Sequence, residues 1–166
     1  MDYLWTPWRY RYVTDPRQSA QGRGNACIFC SAAASASDRD ALIVYRAKWN
    51  FIIVNRFPYT SGHVMVVPYQ HAPSLLELPD DTLAEMILLA RQCERHLLIL
   101  YRPDGLNMGI NIGKSAGAGV ADHLHLHVLP RWTGDVSFMT AVAETRVLPE
   151  EVDATWERLH AAFQSP

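Results

Sequence analysis

The sequence predicts a single α+β domain built on an antiparallel β-sheet, and three observations support that prediction. Short runs rich in β-branched residues follow one another between residues 41 and 68, separated only by short turns. The pattern then changes to helical spacing from about residue 80 to residue 101. Strands and helices do not alternate in the βαβ rhythm of a doubly wound fold. A chain of 166 residues, 49% of them hydrophobic, is long enough for one domain with a substantial core.

The first three strands are predicted at ALIVYR (41–46), NFIIVN (50–55) and HVMVVP (63–68). The connections between them are too short to hold a crossover helix, which a parallel pair of strands would need. The second connection, RFPYTSG, combines proline, serine and glycine in the manner of a turn. The three strands are therefore expected to form an antiparallel meander.

A long amphipathic helix is predicted from Asp80 to about Tyr101. The Pro-Asp-Asp-Thr segment at its start is expected to supply the N-terminal cap. Cys93 falls on the apolar stripe of this helix, which favours plain core packing for that thiol. The stripe recurs at helical spacing and consists of Leu83, Met86, Ile87, Ala90, Cys93 and Leu97.

The rest of the chain divides into a strand pair and two flanking segments. GLNMGINIG (105–113) is predicted as a strand, GKSAGAG as a loop, and HLHLHVL (123–129) as the next strand, which Pro130 ends. The tail from Leu148 to Phe163 has the pattern of a helix. Before residue 40, an aromatic arm (1–13) precedes a Gly/Ser/Ala-rich stretch that contains CIFC and is typical of a loop. The predicted divisions are the arm and loop (1–40), a central domain (41–140) and a helical tail (141–166).

Charge and hydropathy limit the partners that this chain is expected to have. Its formal net charge is −2, so no overall positive field favours binding to a nucleic acid polymer. The N-terminal residues MDYLWTPWRYRYV lack the continuous apolar run of a signal peptide, and no later segment has the length and apolar character of a membrane span. The sequence therefore predicts a cytoplasmic protein that does not bind a membrane.

Three histidines, His123, His125 and His127, occupy every second position of the segment ADHLHLHVLPRWT. On a strand they would share one face, with about 7 Å between successive residues. They could be ordinary strand histidines, or ligands of a zinc ion, although the outer two stand far apart for one ion. In a third interpretation the middle imidazole performs chemistry while its neighbours orient it or bind charge. A neutral imidazole suits nucleophilic attack on phosphorus, because it is largely unprotonated near pH 7.

The glycine-rich segment NIGKSAGAG directly precedes this histidine segment. Small residues let backbone N–H groups approach an anion closely, and Asn111, Lys114 and Ser115 add polar donors. Most glycine-rich loops are merely flexible, and Lys114 could equally be a solvated charge. Joined to the histidines, however, the loop would hold phosphate oxygens beside a nucleophile. The combination predicts phosphoryl transfer.

These motifs together resemble the histidine triad (HIT) superfamily. The match rests on HLHLHVL and extends through NRFPYTSGHVMVVPYQH, GINIG and PRWTGD, covering about residues 42–140 in the family's order. The resemblance implies hydrolysis or transfer of nucleoside monophosphates. It also implies a HIT fold, with an antiparallel sheet, a long covering helix and a C-terminal helix, and a homodimer whose sheets join edge to edge.

The resemblance assigns roles to individual residues. His125 would be the nucleophile, His123 and His127 would flank it, and His63 would be the fourth active-site histidine. Asn55 would contact the ribose hydroxyls and Asn111 the phosphates. The complete set of expected substrate-binding residues is Asn55, Asn111, Lys114, Ser115, Gly117, Ala118, Gly119 and Trp132. Trp132 could stack on a purine, or could serve equally well at an interface or in the core.

Further features place the chain near one branch of the superfamily. The segments LWTPWRY, AGAG and PRWTGDVSFM are similar to bacterial members near the Fhit-like dinucleoside polyphosphate hydrolases and the diadenosine tetraphosphate phosphorylases. Some phosphorylases carry Gly-Ser where this chain has Ala118-Gly119, so a hydroxyl that could receive orthophosphate is missing. The expected activity is cleavage of a diadenosine tetraphosphate-like substrate at the α-phosphate through a nucleotidyl-histidine, by hydrolysis or phosphorolysis. Alternatives are a nucleotide-binding signalling module, a nucleoside phosphoramidase with low turnover, and a metal-dependent hydrolase.

The pair Cys27 and Cys30 has the spacing of half a zinc site. No second pair follows nearby, so a self-contained zinc finger is not expected, and any further ligands must come from elsewhere in the chain. In zinc-containing HIT proteins the pair is completed by a histidine after the third strand and by the first histidine of the triad. Here those residues are His71 and His123. The resemblance thus implies a structural zinc that fixes His123, with free or redox-active thiols as the alternative.

Overall fold

A computed structural model describes residues 27–135 and 150–165. The predicted aromatic arm (1–13), residues 136–149 and Pro166 lie outside the described residues. The helices are α1 (Ile28–Ala33), α2 (Asp38–Ala41), α3 (Asp80–Tyr101) and α4 (Val152–Gln164). The strands are β1 (Ile43–Arg46), β2 (Asn50–Val54), β3 (Val64–Pro68), β4 (Gly105–Ile110) and β5 (Leu126–Arg131), and short 3-10 turns occupy Leu75–Glu77 and Lys114–Ala116.

The five strands form one sheet in the order β1-β2-β3-β5-β4, and every neighbouring pair is antiparallel. The first three strands are the predicted meander, and β5 inserts between β3 and β4. The α+β class and the antiparallel sheet with its helices are therefore confirmed. Among the helices in the described ranges, none has the length and apolar character needed to cross a membrane.

Helix α3 packs on one face of the sheet. Its buried side includes Met86, Ala90, Cys93 and Leu97, as the predicted stripe requires. Ile87 is wrong as a member of that stripe, because it is 62% exposed. It lies about 100° around the helix from Met86 and so points away from the sheet. The expected side-chain cap is also absent, since the capping position is Pro79 and no side chain there bonds the first turn.

The segment around CIFC is not the loop that its composition predicted. Helix α1 begins directly after Cys27 and carries Cys30, and helix α2 follows after a short connection. Ser37 caps α2, because its side chain accepts a hydrogen bond from the amide of Asp40. Both helices are short, and such helices depend on tertiary packing rather than on a periodic sequence.

The histidine segment also differs from its prediction. Strand β5 begins at Leu126, so His123 and His125 precede the strand and do not form a flat row with His127. Pro130 does not end the strand, which continues to Arg131. The carbonyl of Pro130 accepts a hydrogen bond from the Thr60 hydroxyl on the β3 side, beyond the last β3–β5 pair. The backbone nitrogen of Pro130, which has no hydrogen, faces the same side. No strand pairs with β5 at that position on this side, so no amide donor is required there.

Helix α4 covers the outer edge of the sheet at β1. The indole N–H of Trp156 donates to the carbonyl of Ile43 at 2.8 Å, and Nδ1 of His160 donates to the carbonyl of Val44 at 3.0 Å. An exposed edge strand offers such carbonyls to other chains, so the helix satisfies and shields them. The predicted C-terminal helix is thereby confirmed in the part that the structure describes.

Glu85 fastens the turn between β1 and β2 to helix α3. Its carboxylate accepts hydrogen bonds from the amides of Lys48, Trp49 and Asn50 at 2.8–3.1 Å, and from the side-chain amide of Asn50 at 2.9 Å. A carboxylate that accepts several amide donors forms strong, charge-assisted hydrogen bonds. This contact holds the meander in a fixed position under the helix.

Gly62 allows a close approach that positions the residue after it. Its φ is +80°, a conformation that side chains rarely adopt, and a Cβ there would lie only 3.1–3.2 Å from Leu97, Tyr101 and Pro130. The chain can therefore turn tightly into β3 between α3 and β5. This turn brings His63 to the sheet immediately before the strand begins.

Candidate active site and metal centre

Three of the predicted histidines come together on the sheet face opposite α3. His127 pairs across the sheet with Met65, and Met65 pairs with Ile53, so these side chains share a face. His63 lies two residues before Met65 and therefore joins the same face. The exposed fractions of His63, His125 and His127 are 0%, 4% and 9%, so the site is largely shielded from water.

His125 is held with one ring nitrogen available for chemistry. Its Nδ1 lies 2.9 Å from the carbonyl oxygen of His123, and because a carbonyl only accepts, Nδ1 must donate. In the neutral ring this places the lone pair on Nε2. Burial lowers the pKa of His125, although the bond to the His123 carbonyl opposes that shift. His125 is therefore kept as a neutral, oriented imidazole near pH 7.

His127 stands between His125 and His63. Its ring centroid is 4.8 Å from that of His125, and its Nδ1 lies 3.0 Å from Nε2 of His63. Burial, together with the charge of a protonated His125, lowers the pKa of His127 to about 4. The three rings thus form a connected row in which His127 stays uncharged at neutral pH.

The low pKa of His127 predicts that the protein loses stability in mild acid. An unfolded histidine has a pKa near 6.5, so the folded state binds fewer protons than the unfolded state below that pH. Above pH 6.5 His127 is neutral in both states and does not lower the free energy of unfolding. As the pH falls from 6.5 toward 4, the unfolded state takes up the proton first, so the free energy of unfolding falls. A shift of this size corresponds to about 3 kcal/mol in the free energy of unfolding. Urea unfolding at a series of pH values measures the loss.

The comparison that isolates this effect uses His127→Asn, which cannot titrate in that range. Between pH 6.5 and 4 its free energy of unfolding should fall about 3 kcal/mol less than that of the parent. A His96→Gln variant, altered at a half-buried histidine of α3 beside Phe163, should keep most of the parent's slope. Equal slopes for His127→Asn and the parent would contradict the prediction.

The glycine-rich loop lies at the same end of β5 as His125. Ile110, the last residue of β4, pairs with Leu126, the first residue of β5, so the loop between them leaves the sheet beside the histidines. Gly113 and Gly117 have φ of +80° and +89°, which favours glycine at both positions. A 3-10 turn lies between them, in which Lys114 and Ser115 are exposed. Of the other predicted loop residues, Gly119 is exposed, and Asn111, Gly117 and Ala118 are half-buried.

The remaining predicted substrate residues lie at different places. Asn55 is half-buried beside the histidines, with its side-chain nitrogen 3.3 Å from Nδ1 of His63. Trp132 follows the other end of β5, five residues beyond His127 and thus roughly 16 Å along the strand. The structure therefore brings Asn55 to the histidine row and does not bring Trp132 there.

Phe29 is a site residue that sequence reasoning missed. It is 3% exposed, and its ring centroid lies 5.4 Å from that of His123 and 5.0 Å from that of His125. Phe29 stands between the two cysteines of CIFC, so the contact that brings those cysteines to His123 also brings Phe29 to the nucleophile candidate. Its position inside the motif was the available signal.

The two cysteines meet two histidines in a cluster that could hold a metal ion. The ligand atoms of Cys27, Cys30, His71 and His123 all lie within 4.8 Å of one another. Four of the separations are 3.2–3.6 Å, close to the roughly 3.3–3.8 Å edges of a tetrahedron built with zinc–nitrogen and zinc–sulfur bonds. The donor set and its spacing therefore fit zinc, and it is the set predicted from the sequence.

The residues around the cluster favour the tautomer and the neutral form of His123 that can bind a metal. Its Nε2 donates to the carbonyl of Pro68 at 2.9 Å, which leaves Nδ1 unprotonated and directed at the cysteines. Burial lowers the pKa of His123 and so favours the neutral form that binds metals. Burial, and then the neighbouring Cys27, raise the pKa of Cys30, so a bound cation would be needed to stabilise the Cys30 thiolate.

Comparison with known proteins fits this geometry. The sequence model of the HIT domain matches residues 36–134, which hold the whole sheet and all four site histidines and make up more than half of the chain. The chain belongs to the HIT family. The resemblance stated from the sequence is thereby confirmed.

Two named enzymes are similar to this chain over more than half of its length. An AP-4-A phosphorylase of Mycobacterium tuberculosis (strain H37Rv) is 39% identical over 153 residues, which cover 89% of this HIT protein and 76% of the relative. An asymmetrical bis(5'-nucleosyl)-tetraphosphatase of Schizosaccharomyces pombe is 32% identical over 95 residues, covering 57% of this chain and 52% of the relative. These relatives confirm the prediction of a HIT-superfamily enzyme and leave hydrolysis and phosphorolysis open.

A solved structure supports the fold and bears on the metal cluster. The zinc-bound histidine triad family protein of Mycobacterium smegmatis superimposes with a TM-score of 0.66 at 31% identity. The match covers 82% of this HIT protein and 92% of that chain. A relative of the same fold therefore binds zinc.

Proposed function

We propose that this HIT protein cleaves dinucleoside polyphosphates of the diadenosine tetraphosphate type at the α-phosphate, through a nucleotidyl intermediate on His125. The observation that carries the proposal is the hydrogen bond from His125 Nδ1 to the carbonyl of His123. It leaves Nε2 with a lone pair on a neutral ring that is buried and fixed. A nucleophile for phosphorus needs these properties.

The reaction proceeds in two steps. The lone pair of His125 Nε2 forms a bond to the α-phosphorus as the bond to the bridging oxygen breaks, and the electron pair leaves with the departing nucleotide. The glycine-rich loop places backbone amides, with Lys114 and Ser115, around the phosphate oxygens. In the second step an oxygen of water or orthophosphate bonds to the phosphorus as the bond to Nε2 breaks, the electron pair returns to the ring of His125, and any proton displaced from the attacking oxygen passes to solvent.

Other residues bind the substrate around the reacting phosphorus. Asn55 contacts the ribose hydroxyls, a role supported by its place beside His63 at the end of β2. Asn111 begins the glycine-rich loop and contacts the phosphates. Trp132 serves the nucleoside that lies farther from His125, because it stands at the other end of β5. Gly117, Ala118 and Gly119 complete the loop that encloses the phosphate chain.

The identity of the substrate is supported by the named relatives. One is called an AP-4-A phosphorylase and another a bis(5'-nucleosyl)-tetraphosphatase, so both names refer to a dinucleoside tetraphosphate. The names differ in the acceptor of the second step. Ala118-Gly119 lacks the hydroxyl that some phosphorylases carry at this place, which favours water as the acceptor.

Product analysis with diadenosine tetraphosphate tests the proposal. In ¹⁸O-labelled water without orthophosphate, we expect AMP and ATP, with the label in AMP alone, because water attacks the α-phosphorus held on His125. Added orthophosphate should give ADP in place of AMP if the enzyme is a phosphorylase. Tight binding with unchanged substrate would contradict the proposal and support a signalling module, and label in ATP would contradict attack at the α-phosphorus.

The same proposal includes the assembly, the metal and the location of the protein. Strand β4 forms an edge of the sheet, and Asn107, Met108 and Gly109 are exposed along it. We propose that two copies pair along this edge to form a homodimer, since unpaired edges favour such pairing.

The cluster of Cys27 and Cys30 with its two histidines would hold a structural zinc. The protein is placed in the cytoplasm, where reduced thiols persist.

A further inference from the structure

Tyr59 lies in the loop that connects β2 to β3, and it contacts the histidine row in three ways. Its backbone amide donates to Nδ1 of His63 at 3.1 Å. Its ring centroid is 4.7 Å from that of His63 and 6.0 Å from that of His127. The side chain is 44% exposed, so it forms part of the wall between the two histidines and solvent.

The amide of Tyr59 determines where the protons of this row lie. An amide only donates, so Nδ1 of His63 accepts, and the single proton of the neutral ring is on Nε2. His63 therefore donates to Nδ1 of His127 across 3.0 Å. Because Nδ1 of His127 accepts this hydrogen bond, the single proton of the neutral His127 ring is on Nε2. That nitrogen takes no part in the hydrogen bond with His63. The side-chain nitrogen of Asn55, another donor, lies 3.3 Å from Nδ1 and 3.5 Å from Nε2 of His63, so it is nearer to the nitrogen that accepts.

We propose that Tyr59 is a positioning residue, which holds His63 and His127 so that the Nε2–H of His127 points toward the oxygen that leaves the α-phosphorus. The amide fixes the direction of the hydrogen bonds, and the ring packs against both imidazoles and restricts their rotation. Tyr59 acts through these histidines and needs no contact with the substrate for this role.

The chemical consequence rests on the proposed function. As His125 bonds to phosphorus, negative charge develops on the oxygen of the departing group. A hydrogen bond from His127 Nε2 stabilises that charge, and no proton has to leave His127. The increase in rate that this hydrogen bond gives is largest for a poor leaving group, because more unstabilised charge develops on its oxygen in the transition state. It is smallest for a good leaving group.

Aryl esters of AMP test this dependence in the protein as purified, without a chelator. Tyr59→Leu removes the ring, and we expect kcat for the phenyl ester to fall at least about 30-fold while kcat for the 4-nitrophenyl ester falls less than about threefold. KM should change by less than about threefold for both esters. Tyr59→Phe keeps the ring and should retain the parent's values. Phe57→Leu, altered at an 81%-exposed aromatic residue of the same loop, is the matched control and should also retain them. Equal losses on the two esters would overturn the proposal, because a purely structural role lowers both alike.

A measurement on the unaltered protein remains decisive if a variant does not fold. Nitrogen NMR of ¹⁵N-histidine-labelled protein at neutral pH distinguishes the two tautomers of each ring. We expect protons on Nε2 of both His63 and His127, and a proton on Nδ1 of either ring would overturn the proposal. If the parent cleaves neither ester nor diadenosine tetraphosphate, the proposed function fails, and the tautomers still decide the role of Tyr59.

Discussion

His125→Asn should lower kcat for diadenosine tetraphosphate by about 10⁴-fold or more, the size of loss that follows removal of an enzyme's nucleophile. Asparagine has no ring nitrogen that can bond to phosphorus, yet its amide can still donate to the carbonyl of His123. The variant should therefore keep the local hydrogen bond that His125 makes in the parent. Steady-state turnover and calorimetric nucleotide binding, measured on the same preparation, separate lost chemistry from lost binding.

The expected pattern is loss of turnover with nucleotide binding retained. His96→Asn changes a histidine on α3 outside the histidine row and should turn over at close to the parent's rate. Denaturing the parent at alkaline pH during turnover should preserve the nucleotidyl group, and peptide mass spectrometry should find it on His125. Undiminished turnover of His125→Asn, or a nucleotide attached to another side chain, would refute the assignment of the nucleophile.

The elements of the sheet and the long helix are encoded locally, which is why sequence reasoning located them. Each strand of the meander is a run of β-branched residues between turn signals, and α3 shows helical spacing over six turns. The order of the strands has another origin. Strand β5 inserts between β3 and β4 through pairings such as Met65 with His127, and no local pattern reports a pairing across 62 residues.

The errors of the sequence interpretation have the same cause. Helix α1 has six residues, too few for a periodic signal, and its position depends on contacts of Cys27 and Phe29 with residues about 96 positions later. The alternating pattern predicts His123 in a flat strand with the other two histidines. Instead it precedes the strand, where its ring turns to the cysteines while its carbonyl bonds His125. The motif identified the residues, and only the tertiary structure shows which of them faces the cysteines and which lies in the histidine row.

If the proposed centre holds zinc, its removal should cost this fold a large part of its stability. The four ligands join α1, the segment after β3 and the segment before β5, which are distant in sequence. If free zinc stands a thousandfold above its dissociation constant, binding stabilises the folded protein by about 4 kcal/mol. We therefore expect dialysis against a strong chelator to lower the melting temperature by about 10 °C. Scanning calorimetry with parallel metal analysis measures both quantities.

Cysteine variants distinguish the effect of losing the metal from the effect of losing a thiol. Cys27→Ser with Cys30→Ser should purify with little zinc and melt at about the temperature of the chelated parent, and the chelator should lower it no further. Cys93→Ala removes a thiol that is 1% exposed in the core under α3. This control should lose stability through packing, keep its zinc and remain sensitive to the chelator. Absence of zinc from freshly purified, chelator-free parent would contradict the proposed metal centre.

The time course of chelation distinguishes a structural zinc from a catalytic one. His123 links the two sites, because its ring faces the cysteines and its carbonyl accepts a hydrogen bond from Nδ1 of His125. A zinc ion held in the proposed centre would fix the backbone that orients His125 without touching the substrate. Activity should decline only as fast as zinc leaves and the segment before β5 loosens, in step with the change in tryptophan fluorescence or circular dichroism. Activity that stops before any zinc has left the cluster, with the fold intact, would instead indicate a second metal in the catalytic row and would remove His125 as the nucleophile.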